Sequence, residues 1–96
     1  MGTWFAERRL TQVAHRLRER RDELAMIEEQ LGHLAEDADD LALRAMVSET
    51  PSASFESNDA RKHADAMRRH RDRIVGEIAE LERRQDDLLD SMARPG

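Results

Sequence analysis

Four histidines, His15, His33, His63 and His70, are the side chains best suited to acid–base or metal chemistry near neutral pH. A metal site on one helix needs ligands at i, i+3 or i, i+4, as in the His-Glu-x-x-His of zincins. His63 and His70 stand seven residues apart instead, two helical turns along one face. His33 approaches His70 only if two helices fold back on each other. The spacing therefore assigns the histidines to solvated or flank positions, and no metal or cofactor is expected. Carboxylates are plentiful but lack the Glu-x-x-His pairs of di-iron bundles. The sequence has no Gly-rich phosphate loop, no nucleophile elbow and no cysteine, and its serines crowd mainly into 48–57. The expectation is a protein that is not an enzyme.

The elements that carry these residues are written in the apolar spacing. Leu10, Leu17, Leu24, Leu31, Ala38 and Ala45 recur every seven residues, with Val13, Ile27, Leu34 and Leu41 three residues after them. A second heptad runs through Ala60, Met67, Ile74, Leu81 and Leu88, with Ala64, Ile78 and Met92 four residues later. Such a/d repeats specify long helices that meet along a seam. Between the two heptads, Glu49–Glu56 holds the only interior turn chemistry. The spacing predicts an all-α fold, a long antiparallel two-helix coiled-coil hairpin in a single domain over 1–96. Its helices are expected at about 4–48 and 58–93, with the turn at about 49–57.

Charge distribution supports folding back. The net charge of −5 argues against general nucleic-acid binding, but the charges fall in blocks. Residues 8–21 carry six arginines against Glu19, and residues 22–43 carry eight carboxylates with no Lys or Arg. In the second helix 61–73 is basic, and Asp86, Asp87 and Asp90 make an acidic block. An antiparallel hairpin sets basic blocks against acidic ones, whereas parallel self-pairing sets like beside like.

Register follows from the polar seam positions. Arg20 and Gln85 interrupt their heptads, and facing positions that sum to about 105 put both in one polar layer. Leu17 then faces Leu88, Leu24 faces Leu81, Ile27 faces Ile78 and Leu31 faces Ile74. A seven-residue slip, summing to 98, puts Arg20 beside Ile78 and starts the second helix at Pro51 with Thr50 as its cap. The longer turn is preferred because it pairs the polar groups. In it Ser57-Asn58-Asp59 starts the second helix and Phe55 folds back onto an Ala-rich tip; the alternative for Phe55 is an exposed anchor.

Some apolar residues fall outside the seam. Met26, Leu43, Met46, Val75, Ala79 and Leu89 lie beside the a/d stripes, and Trp4 and Phe5 open the chain. A stripe wider than a seam asks for a further partner. The expected partner is a second copy, giving a homodimer built as a four-helix bundle, with Trp4, Phe5, Met26, Val75 and Leu89 as the candidate face. Trp4 and Phe5 beside Arg8, Arg9, Arg16 and Arg18 offer a second possibility, contact with a membrane surface or nucleic acid.

Length and composition bound the rest. Ninety-six residues in two long helices bury little beyond a seam, which makes association the natural remedy in the absence of disulfides. The missing cysteines fit a cytoplasmic protein, and no run reaches the ~20 apolar residues of a membrane span. Glu7, Arg8 and Arg9 interrupt any signal-peptide core, and Ala6 breaks the myristoylation pattern.

Two resemblances add expectations. Asp37-Ala38-Asp39-Asp40-Leu41-Ala42 resembles the Asp-x-x-Asp-x-Ala signature of DksA-type regulators, whose coiled-coil tip enters the RNA polymerase secondary channel. That resemblance implies a transcription accessory role, with Asp37 and Asp40 as tip contacts. It departs from the family in having no zinc-finger cysteines and in placing the motif before the turn. A solvated acidic face paired with Arg68 and Arg69 is the preferred reading. Through Ser48-Glu49-Thr50-Pro51 and Lys62-His63-Ala64-Asp65-Ala66-Met67 the chain also resembles short helical-hairpin proteins of high-GC bacteria, a likeness that carries no function. The leading expectation is a self-associating protein–protein interaction module.

Overall fold

The structure, a computed structural model, describes residues 2–94. Helix α1 spans Gly2–Ser48 and helix α2 spans Pro51–Ala93, an all-α helical hairpin with no strand among the described residues. Ala, Leu, Arg and Glu dominate α1, and Arg and Ala remain frequent in α2, residues that lose least on entering a helix. No helix is long and apolar enough to cross a membrane. The chain divides into two compact units. Unit 1 joins Met1–Leu24 to Arg73–Gly96, and unit 2 is Ala25–Asp72, which contains the turn.

The turn is much shorter than the expected 49–57. Glu49 adopts a left-handed φ of 52° and its N–H donates to the Ala45 carbonyl at 3.1 Å, which closes α1. Thr50 then caps α2: its Oγ1 accepts from the Ala53 N–H at 3.2 Å, and its carbonyl accepts from the Ser54 N–H at 3.1 Å. Pro51 takes the first helical position, where it has no N–H to leave unpaired. Residues 51–57, expected as loop, are therefore helix. Their Ser and Pro content reads equally well as the first turns of a helix, which is why composition misplaced the boundary.

The cap and the strained residue give opposite expectations. Thr50→Ala should lower stability by about 1 kcal/mol, the usual cost of losing an N-cap. Glu49→Gly should raise it by up to about 1 kcal/mol by relieving the left-handed backbone. Denaturant midpoints at constant m-value measure both; a loss on Glu49→Gly would contradict this turn.

In unit 2 the seam buries Ile27, Leu31, Ser57 and Ala64, with Leu34, Ala38, Leu41, Ala45, Ala53, Ala60 and Met67 half-buried. Ser57, expected as a helix start, is a seam residue only 5% exposed, and no buried side-chain polar atom lacks a hydrogen bond among the described residues. Small residues near the turn let the helices approach closely. Phe55 does not fold back on this tip. It stands two positions from both Ala53 and Ser57, so helical geometry turns it outward, and it is 71% exposed.

In unit 1 the seam buries Val13, Leu17, Ile74, Ile78 and Leu81, with Leu10, Leu24, Leu88 and Met92 half-buried. A two-residue turn corresponds to facing positions that sum to about 98, and the 2.8 Å pair of Arg20 with Glu77 agrees with that register. The polar layer of Arg20 with Gln85 does not form. Gln85 is half-buried at the level of Val13, and Arg20 lies at the level of Ile78. Its guanidinium leaves the seam and meets Glu77 at 2.8 Å and Glu23 at 2.9 Å, with over a third of the side chain exposed. A long side chain that reaches water satisfies its charge at the edge. The seam then needs no polar partner for Arg20, which removes the reason for the longer turn.

Candidate functional site

Unit 1 carries a groove along one flank of its helix pair. Val13, Leu81 and Leu88 form its floor, and Arg9, Arg16 and Arg84 stand at its rim. The floor residues are seam positions of both helices, so the same heptads that close the pair also line the groove. Arg9 and Arg16 stand seven residues apart on α1, about 10 Å along the axis. Neither has an ion pair among the described residues. Arg84 makes a loose pair with Glu80 at 3.8 Å. Glu80 mainly serves Arg83, whose hydrogen bond and charge hold its carboxyl below the usual carboxylate range, with Arg84 adding to the shift. The groove's carboxylates are Glu19, engaged by His15 at 3.0 Å, and Asp87.

At the start of α1, Trp4 and Phe5 meet edge to face with ring centroids 4.7 Å apart, and Arg8 lies 5.7 Å from the Trp4 ring. Both aromatics remain exposed, at 55% and 65%. Val75 and Leu89, the other unit 1 members of the candidate face, are about half-covered at 46% and 48%.

Unit 2 presents a different surface. Met26, Glu29, His33, Glu36, Asp40, Leu43 and Val47 follow one another at three- and four-residue steps along α1, on the side away from the seam. All are exposed; Met26, Leu43 and Val47 stand at 64%, 63% and 82%. The surrounding carboxylates Glu28, Glu29, Glu36, Asp37, Asp39 and Asp40 have no ion pair among the described residues. Arg68, expected opposite this acidic face, instead holds Asp65 of its own helix at 2.7 Å. Asp37 and Asp40 lie within α1, well before its end at Ser48.

The expected meeting of charge blocks takes a different form. In unit 1, Arg20 pairs across the helices with Glu77 at 2.8 Å and Arg21 with Glu82 at 3.6 Å, so these two arginines meet Glu77 and Glu82 rather than 86–90. Most other pairs stay within one helix, such as Arg94 with Asp90 at 4.0 Å and His63 with Asp59 at 3.5 Å. Among the described residues no three His, Cys, Asp or Glu side chains are placed to hold a metal ion.

The seam residues Leu17, Leu24, Ile27, Leu31, Ile74, Ile78, Leu81 and Leu88 are each buried or half-buried in their units. Sequence reasoning missed the arginine rim and the exposure of Val47. The signal for the rim was available in the seven-residue spacing of Arg9 and Arg16 beside the heptad. What these surfaces offer is recognition: an apolar floor with a cationic edge in unit 1, and an acidic helix edge with apolar ends in unit 2. Compared with protein-family models, curated proteins and solved structures, the chain matches none of them.

Proposed function

We propose that the protein is a non-enzymatic protein–protein interaction module that associates with a second copy of itself. The observation that carries this reading is the exposure of Met26, Leu43 and Val47, at 64%, 63% and 82%, on one outward stripe of α1. Large apolar side chains in water forgo roughly 1.5–3 kcal/mol each relative to burial. A two-helix seam has little burial of its own to spare, so covering this stripe is a strong drive to associate. Val75 and Leu89 supply a weaker drive in unit 1, because neighbouring side chains already shield half of each.

Sedimentation velocity on the full chain at micromolar concentration tests the proposal. The expected result is a dimer, with a thermal midpoint that rises with protein concentration. A monomer across that range, with a concentration-independent midpoint, rejects it.

A further inference from the structure

We infer that the contact between copies is charge-matched and joins unlike surfaces: the arginine-rimmed groove of unit 1 in one copy takes the acidic outward stripe of α1 in unit 2 of the other. This rests on the self-association proposed above and specifies its surfaces. Three observations lead to it. Ten cationic and ten anionic side chains balance in unit 1, whereas unit 2 holds six against eleven, so the whole net charge of −5 belongs to unit 2. Pairing unit 2 with unit 2 sets like charge on like; pairing it with unit 1 avoids that cost.

Second, the groups that need partners are complementary. Glu29 and Glu36 on the stripe are unpaired among the described residues, as are Arg9 and Arg16 on the rim. Third, the spacings agree. Glu29 and Glu36 stand seven residues apart, as do Arg9 and Arg16, so both pairs can form at once between two straight helices. Met26 and Leu43 flank the acidic stretch of the stripe, and the groove offers Val13, Leu81 and Leu88 as apolar floor.

Charge reversal tests the contact. One variant carries Arg9→Glu with Arg16→Glu, and the other carries Glu29→Arg with Glu36→Arg. All four side chains are exposed in the single chain, so far-UV circular dichroism should confirm that each variant keeps its helicity. Each alone should associate at least tenfold more weakly than the original chain in sedimentation velocity, since like charges then face each other. Mixing the two variants should restore association, because every groove again meets a stripe of opposite sign. The original chain's association should also weaken as salt is raised. If the original chain associates but neither variant weakens it, or mixing restores nothing, the charge-matched contact is wrong while self-association stands. If the original chain is monomeric, both fall.

Discussion

Leu17→Ala should cost about 2–5 kcal/mol and strip much of the helical signal at 25 °C. Among the described residues Leu17 is the one large side chain under 2% exposed, at 1%, and it lies in the seam of unit 1. Truncation there removes three heavy atoms from a buried site, so the cavity left behind adds to the lost transfer free energy. Native stabilities run to only about 5–15 kcal/mol, and a chain this size lies toward the lower end. Leu24→Ala removes the same atoms from a half-buried position and should cost clearly less. Thermal melts followed by far-UV circular dichroism compare the two. Equal midpoints, or a Leu17→Ala loss under about 1 kcal/mol, would contradict a seam centred on Leu17.

Periodicity made the seam legible because a heptad constrains many positions at once. Leu17, Ile27, Leu31, Ile74, Ile78 and Leu81 are buried where the repeat puts them, and no other spacing satisfies them all. The turn was harder because Thr50, Pro51, Ser52 and Ser54 serve a loop and a helix start equally well. Register then failed for a specific reason. Read as a group trapped in the seam, Arg20 asks for Gln85 opposite it. A side chain with that reach escapes to Glu77 and Glu23 at the edge, and its position constrains nothing opposite. Surface recognition was the least legible layer. Apolar residues outside the heptad were visible, but Met26 belongs to unit 2 while Val75 and Leu89 belong to unit 1, a separation that residue type does not reveal. The α1 half of the rim, Arg9 and Arg16, is visible in its seven-residue spacing, whereas Arg84 joins it only once the register is fixed.

Met26→Ser with Leu43→Ser should weaken self-association by about a hundredfold or more, without changing the helicity of the single chain. Both side chains are largely exposed, at 64% and 63%, so the hairpin loses no internal packing when they are shortened. Each is worth ~1.5–3 kcal/mol when fully buried, and 1.4 kcal/mol corresponds to tenfold in affinity. Serine is chosen because it leaves the charge of the stripe unchanged, which separates the apolar contribution from the ionic one. The loss should therefore persist at high salt, where the effect of the arginine and glutamate reversals shrinks. Val75→Ser with Leu89→Ser should do less, because those side chains begin at 46% and 48% exposure and have less surface to surrender to a partner. Sedimentation equilibrium across a salt series measures all of these dissociation constants. If the Val75 and Leu89 pair proves the more damaging, the copies meet through the α2 flank of unit 1, and the outward stripe of α1 is not where they join.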